Sequence, residues 1–218
     1  MNPYQKLQQR KRTWTPVQTT AGTVRDGSQE TIYRALAMRH MELPVGSFIQ
    51  DALSEIPSLS ADLLRSNVKD EENHDLALGY IANALGVDET AEAEAKRLRD
   101  AWEAHPDHTV LKALVAERAI FFVLLPFFRF NGDGGLRTVS ADISRDEQVH
   151  VAANSLVCKE MGLEISPSLD KLRKATINWV MSPLKASTNK YLDKKFWLDA
   201  SDRLMYEGKA PELIETKR

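Results

Sequence analysis

The sequence predicts an all-α protein, an antiparallel four-helix bundle with additional C-terminal helices. Three observations carry that prediction. Of 218 residues, 43% are hydrophobic and 28% charged, while 10 are Gly and 9 are Pro, too few turn formers for an all-β or disordered chain. Long segments place apolar residues at helical spacing and end in turn signals. No short fixed-period repeat or low-complexity linker divides them, so one domain is the default.

The first core helix is expected over Gln29–Leu53, after the turn-like Asp26-Gly27-Ser28 and before Ile56-Pro57, with a kink at Pro44. The second runs from Ser60, a good N-cap, to Leu85 before Gly86. Glu89–His105 has high helix propensity but a thin apolar stripe, and is expected to connect rather than to build the core. The third core helix spans Thr109–Phe130 up to a Gly-rich turn at Gly132–Gly135, and the fourth Leu136–Met161 before Gly162. Ser166–Glu207 holds two further helical stretches broken at Pro183. Residues 1–27 then form an N-terminal arm, 28–207 the bundle and 208–218 a loose tail. The basic run Lys6–Arg12 reads as a solvated part of the arm.

A formal net charge of -2 supplies no basic field, which disfavours nucleic-acid binding. The strongest apolar run, Ala119–Phe128, is too short to span a bilayer and no apolar leader is present, which predicts a cytoplasmic protein without a membrane segment. Cys158 is the single cysteine, so any metal must be held by His and carboxylate.

Such a set is present. Glu71-Glu72-Asn73-His74 and Glu147-Gln148-Val149-His150 each place a carboxylate and an imidazole one helical turn apart on one face. Each pair interrupts an apolar seam: Leu64, Asn67, Glu71, His74, Leu78 and Ile81 in one helix, and Val139, Ile143, Glu147, His150, Asn154 and Val157 in the other. Charged groups on a seam cost several kcal/mol unless they are paired or bind metal. Glu117 is the one acid in the apolar stretch Leu114–Phe128, and hairpin geometry about Gly132 puts it level with Glu147 and His150. The same construction about Pro57 sets Glu42 opposite Glu71, with Glu30 and Asp51 at the wrong height. One Glu from each of two helices and Glu-x-x-His from the other two form the ligand set of ferritin-like dimetal-carboxylate bundles. Two transition-metal ions per chain are expected, as Fe/Fe, Mn/Fe or Mn/Mn. His105 and His108 read as loop histidines, His40 as structural, and Phe121, Phe122, Phe127 and Phe128 as core.

Further stretches add to the pattern: Arg145-Asp146-Glu147-Gln148-Val149-His150, Glu117-Arg118-Ala119-Ile120-Phe121-Phe122, and Trp14-Thr15-Pro16 ahead of the first core helix. With Glu42 and Glu71–His74 they resemble the small, radical-generating subunit of class I ribonucleotide reductase. The resemblance implies a homodimer that reacts with dioxygen or a reduced oxygen species. It would pass an oxidising equivalent to a large catalytic reductase subunit for deoxyribonucleotide synthesis. The resemblance also implies a proton-coupled electron path through His74, Asp146 and Trp14, and a docking tail with a relay tyrosine, Tyr206. Leu78 stands where the family keeps its radical tyrosine, and Tyr80 and Tyr33 point away from the metal face. The oxidant is therefore expected on the metals. The alternative is a stand-alone dimetal oxygenase or oxidase acting on an apolar substrate, with Leu78, Phe121 and Phe122 lining its pocket. A storage or purely structural bundle has no use for Trp14 or Asp146.

Overall fold

The computed structural model describes residues 1–214, which fold into helices and turns with no strand among them. The arm is more ordered than its composition suggests. Pro3–Gln8 form a short helix (α1) with Pro at its first position and a reciprocal cap between Asn2 and Gln5, at 2.8 and 3.0 Å. Tyr4 and Leu7, three apart and so on one face, are buried where α1 packs on two bundle helices.

The first core helix is realised in two pieces, Gln29–Ala37 (α2) and Glu42–Ala52 (α3), separated by a 3-10 turn at Met38–Met41. Pro44 accounts for the break. Its nitrogen cannot donate to the carbonyl four residues back and its ring crowds that turn, so the backbone tightens there and Glu42 opens a new helix. Arg39 and His40 in the turn both hold Glu92, at 2.6 to 2.8 Å. Ala61–Leu85 (α4) returns beside α3 as a hairpin.

Glu89–Glu103 (α5) carries the chain to the second half of the bundle. It does more than connect. Trp102 is fully buried, and its indole donates to Thr176 Oγ1 at 3.0 Å in a later helix. The third core helix is also composite: Thr109–Ala116 (α6) and Phe122–Asn131 (α7) flank a π-helical turn at Glu117–Phe121. Gly132 follows, at a point where an added Cβ would lie 2.5 Å from the Phe128 carbonyl oxygen and 2.6 Å from Leu136 Cβ. Only glycine permits so close a reversal. Asp133 then caps Gly134–Glu160 (α8) through Leu136 N at 2.8 Å and also takes Gly22 N at 2.8 Å, fastening the arm to the turn.

Pro167–Met181 (α9) and Lys194–Glu207 (α10) pack against the π turn, and α9 also contacts α6 while α10 contacts α7. Fully buried Arg173 ties the pair together by donating to Asp170, Ser201 and Asp202. The tail is not loose as far as it is described: Ala210 and Leu213 are buried, and Arg129 donates to the Leu213 carbonyl at 2.5 Å. Residues 215–218, the end of the expected docking segment, lie outside the described residues. No helix among the described residues is long and apolar enough to cross a membrane.

Candidate metal centre

Six side chains expected to act together do meet. Glu42 starts α3, Glu71 and His74 lie on α4, Glu117 starts the π turn, and Glu147 and His150 lie on α8. None is more than 2% exposed. They form two overlapping donor sets, Glu42, Glu71, His74 and Glu147 in one and Glu71, Glu117 and His150 in the other, with the donor atoms of each set within 4.8 Å of one another. Nδ1 of His74 lies 3.1 Å from Glu71, 3.4 Å from Glu147 and 3.6 Å from Glu42. Nδ1 of His150 lies 3.0 Å from Glu71 and 3.8 Å from both Glu117 and Glu147. Glu71 and Glu147 therefore face both imidazoles, whose ring centroids are 5.7 Å apart.

The π turn explains how Glu117 reaches this level. A wider turn offsets the side chain from the α-helical register and disturbs the backbone hydrogen-bond pattern. Two bonds to α10 hold it: Ser201 Oγ donates to the Ala119 carbonyl at 2.7 Å, and Arg118 Nε donates to the Leu204 carbonyl at 2.7 Å. Asn154, one turn beyond His150, donates to Glu117 Oε2 at 2.7 Å and fixes the carboxylate plane. The seam pattern contained Asn154, but not its purpose.

Each histidine turns its Nε2 away from the cluster onto an aspartate. His74 Nε2 is 3.3 Å from Asp146 Oδ2, and the same oxygen accepts the Trp14 indole N–H at 2.7 Å. The Trp14 and His74 rings are 6.2 Å apart and inclined by 21°. His150 Nε2 is 2.9 Å from Asp70 Oδ2, and Asp70 pairs in turn with Lys11. Lys11 also donates to Ser66 Oγ at 2.9 Å and Asn67 Oδ1 at 3.0 Å. Sequence reasoning missed Asp70 and gave Lys11 no role. The signal was present: Asp70-Glu71-x-x-His74 repeats Asp146-Glu147-x-x-His150, and each aspartate serves the histidine of the other helix. A carboxylate on the outer nitrogen fixes the tautomer that leaves Nδ1 free to ligate and raises its basicity.

The donor set fits metal on the evidence of its unmet bonds. Both oxygens of Glu42, both of Glu147, Oε1 of Glu117 and Nδ1 of His150 are buried without a hydrogen-bond partner. His150 Nδ1 is within 3.0 Å of Glu71 Oε1 but off the line a hydrogen bond requires. Buried polar atoms are ordinarily satisfied, and six unsatisfied ones converging on one space are the donors a metal ion would satisfy. Burial raises the carboxyl pKa values of Glu42 and Glu117 well above the usual range and that of Glu147 above it, the charges of neighbouring glutamates adding to the effect. Burial acts in the same direction on Glu71, but the two imidazoles overcome it and hold that group below the carboxylate range. Burial opposes charge on His74 and His150, yet their carboxylate neighbours carry both well above the usual imidazole value. The cluster is thus balanced by protons or by cations. Four carboxylates match the charge of two divalent ions, and oxygen with imidazole donors suits Fe or Mn.

Comparisons with family models, with curated proteins and with solved structures found no match for this chain. The geometry stands by itself: a buried Glu/His cluster in an all-α bundle that could hold metal ions. Leu78 and Phe121 are each 2% exposed, closed into the core. Tyr206 belongs to the last turn of α10, where its hydroxyl donates to Asp170 at 2.7 Å, so it forms part of a helix contact and precedes the tail. A groove of about 190 Å³ between α3 and α4, lined by Gly46, Val68 and Glu72, reaches Glu71 from the surface.

Proposed function

We propose that this chain is a dimetal-carboxylate redox subunit, acting as the small subunit of class I ribonucleotide reductase does. It would deliver an oxidising equivalent to a separate catalytic subunit that makes deoxyribonucleotides. The observation that carries this reading is the chain of contacts from His74 through Asp146 to Trp14, at 3.3 and 2.7 Å. A metal site that only stored iron would gain nothing from an indole wired to a ligand's aspartate.

Two Fe or Mn ions held by Glu42, Glu71, His74, Glu117, Glu147 and His150 would supply oxygen activation and storage of one oxidising equivalent. The rest is the work of this chain's own groups. With metal on Nδ1 of His74, the ring proton would sit on Nε2 and be donated to Asp146. Asp146 accepts from both the imidazole and the indole, so an electron leaving Trp14 is accompanied by an N–H proton already in contact with a carboxylate. Trp14 is half-buried, with one side toward His74 and another reaching solvent, where a partner could collect the oxidant. Leu78 leaves no phenol in the place where a tyrosyl radical would be stored.

The test is reconstitution with Fe(II) and Mn(II) in the presence of oxygen, followed by nucleotide reduction with a large reductase subunit. Trp14→Phe, and Asp146→Asn at saturating metal, should retain two ions per chain and consume oxygen while losing partner-dependent turnover. Full turnover in both variants would reject the relay and favour an oxygenase that works alone.

A further inference from the structure

Outside the metal centre, a cleft lies between the C-terminal segment and the outer faces of α7 and α8. Its volume is about 480 Å³. Phe122, Pro126, Val151, Leu204 and Leu213 belong to its apolar wall. Three cations line it, Arg118, Arg129 and Lys209, and among the described residues no acidic one does. That is a strong local bias in a chain with 31 acids and 29 bases.

Arg118 is the decisive group. It is half-buried, and its Nε is spent on the Leu204 carbonyl. Its two terminal nitrogens meet no carboxylate among the described residues, and burial lowers its pKa with no opposing anion. Space is kept for them by Gly208, whose φ of +70° is a left-handed conformation and whose missing Cβ would lie 2.8 Å from Arg118 Nη2. A side chain there would have to displace the flexible end of Arg118. Arg129 and Lys209 are exposed at the rim, and Arg129 uses one terminal nitrogen on the Leu213 carbonyl. A planar fork of unspent donors, set in an apolar wall and seconded by two rim cations, matches a carboxylate or phosphate carried on a hydrocarbon chain.

We propose that this cleft is a binding site for an amphipathic anion, its carboxylate or phosphate head on Arg118 and its aliphatic chain along Phe122, Val151 and Leu213. The site does not depend on metal or on the redox reading above.

Calorimetric titration of the full chain with decanoate and with decyl phosphate, below their micellar range, tests it. Decanol and decyltrimethylammonium serve as neutral and cationic controls. Saturable 1:1 binding of at least one anion is expected, with the tighter of the two heads naming the natural class. Arg118→Gln and Arg129→Gln should each weaken binding, Arg118→Gln by about tenfold or more. Val151→Trp, which fills the cleft while leaving every charge in place, should abolish it. Circular dichroism melts show which variants remain folded, and Arg129→Gln and Val151→Trp leave the Arg118 contact to α10 intact. Absence of saturable anion binding, equal binding of the alcohol or the ammonium, or anion affinity unchanged in the folded variants would each overturn the proposal.

Discussion

Asp70 and Asp146 occupy matching places, each one residue before a glutamate that faces both imidazoles and each holding the histidine of the opposite helix. Their outer partners differ: a lysine for Asp70 and an indole for Asp146. On the proposed function, that difference would separate metal affinity from electron transfer. Asp70→Asn and Asp146→Asn should both weaken Mn(II) binding by roughly 10- to 100-fold, measured by competition with a chelator, because each frees a ligand histidine to change tautomer. At saturating metal, Asp70→Asn should keep partner-dependent turnover and Asp146→Asn should lose it. Equal turnover loss in the two would mean that Asp146 acts only by orienting His74. Removing a ligand is a harsher change: Glu117→Ala should fail to hold two ions per chain by metal analysis, whereas Asn154→Ala should hold them with reduced affinity.

Among the elements, the π turn depends on α10, a helix that a minimal four-helix bundle would lack. Ser201→Ala removes the donor to the Ala119 carbonyl and leaves that acceptor buried, at a cost of about 1 to 3 kcal/mol. A lower melting temperature is expected, together with a perturbed EPR spectrum of bound Mn(II), since Glu117 begins the same turn. An unchanged spectrum would confine the effect of α10 to stability. The sequence allowed the long helices and the clustering of the six buried Glu and His side chains to be read because helical periodicity and paired Glu-x-x-His spacing are local signals. The π turn was illegible, since no residue type marks it. The 3-10 break, expected at Pro44, lay one turn before it, because the ring constrains the residues that precede it. Lys11 was misjudged for a related reason: a basic run at an exposed terminus looks alike whether or not a carboxylate from a distant helix awaits it.

For the whole molecule, the groups that would ligate metal are the same ones that take up protons when no cation lies between them. Glu42, Glu117, Glu147, His74 and His150 all have pKa values raised from their usual range, so each keeps its proton to a higher pH than a free side chain does and gives it up as an ion takes its place. Affinity for Fe(II) or Mn(II) should therefore fall as pH drops and rise as pH increases. A pH-stat should record net proton release on loading, and uptake without release would contradict the charge assignment. Loading should also raise the melting temperature. Free metal at a hundred times its dissociation constant adds about 2.7 kcal/mol for one site that binds only the folded chain.

The N-terminal arm touches both ends of this centre, Lys11 on the acid behind His150 and Trp14 on the acid behind His74. The arm is thereby a reporter of what happens in the core. Arg10 and Arg12 flank Lys11 and are exposed, so trypsin can cut there whenever the segment lifts away. Anything that tightens the two histidines in place also tightens the acids and, through them, the arm, lowering the population of the lifted state. Nicking between residues 10 and 13, followed by mass spectrometry, should slow on metal loading and speed up in Asp70→Asn. The digestion rate at one end of the chain would then read the occupancy of a site that solvent barely touches.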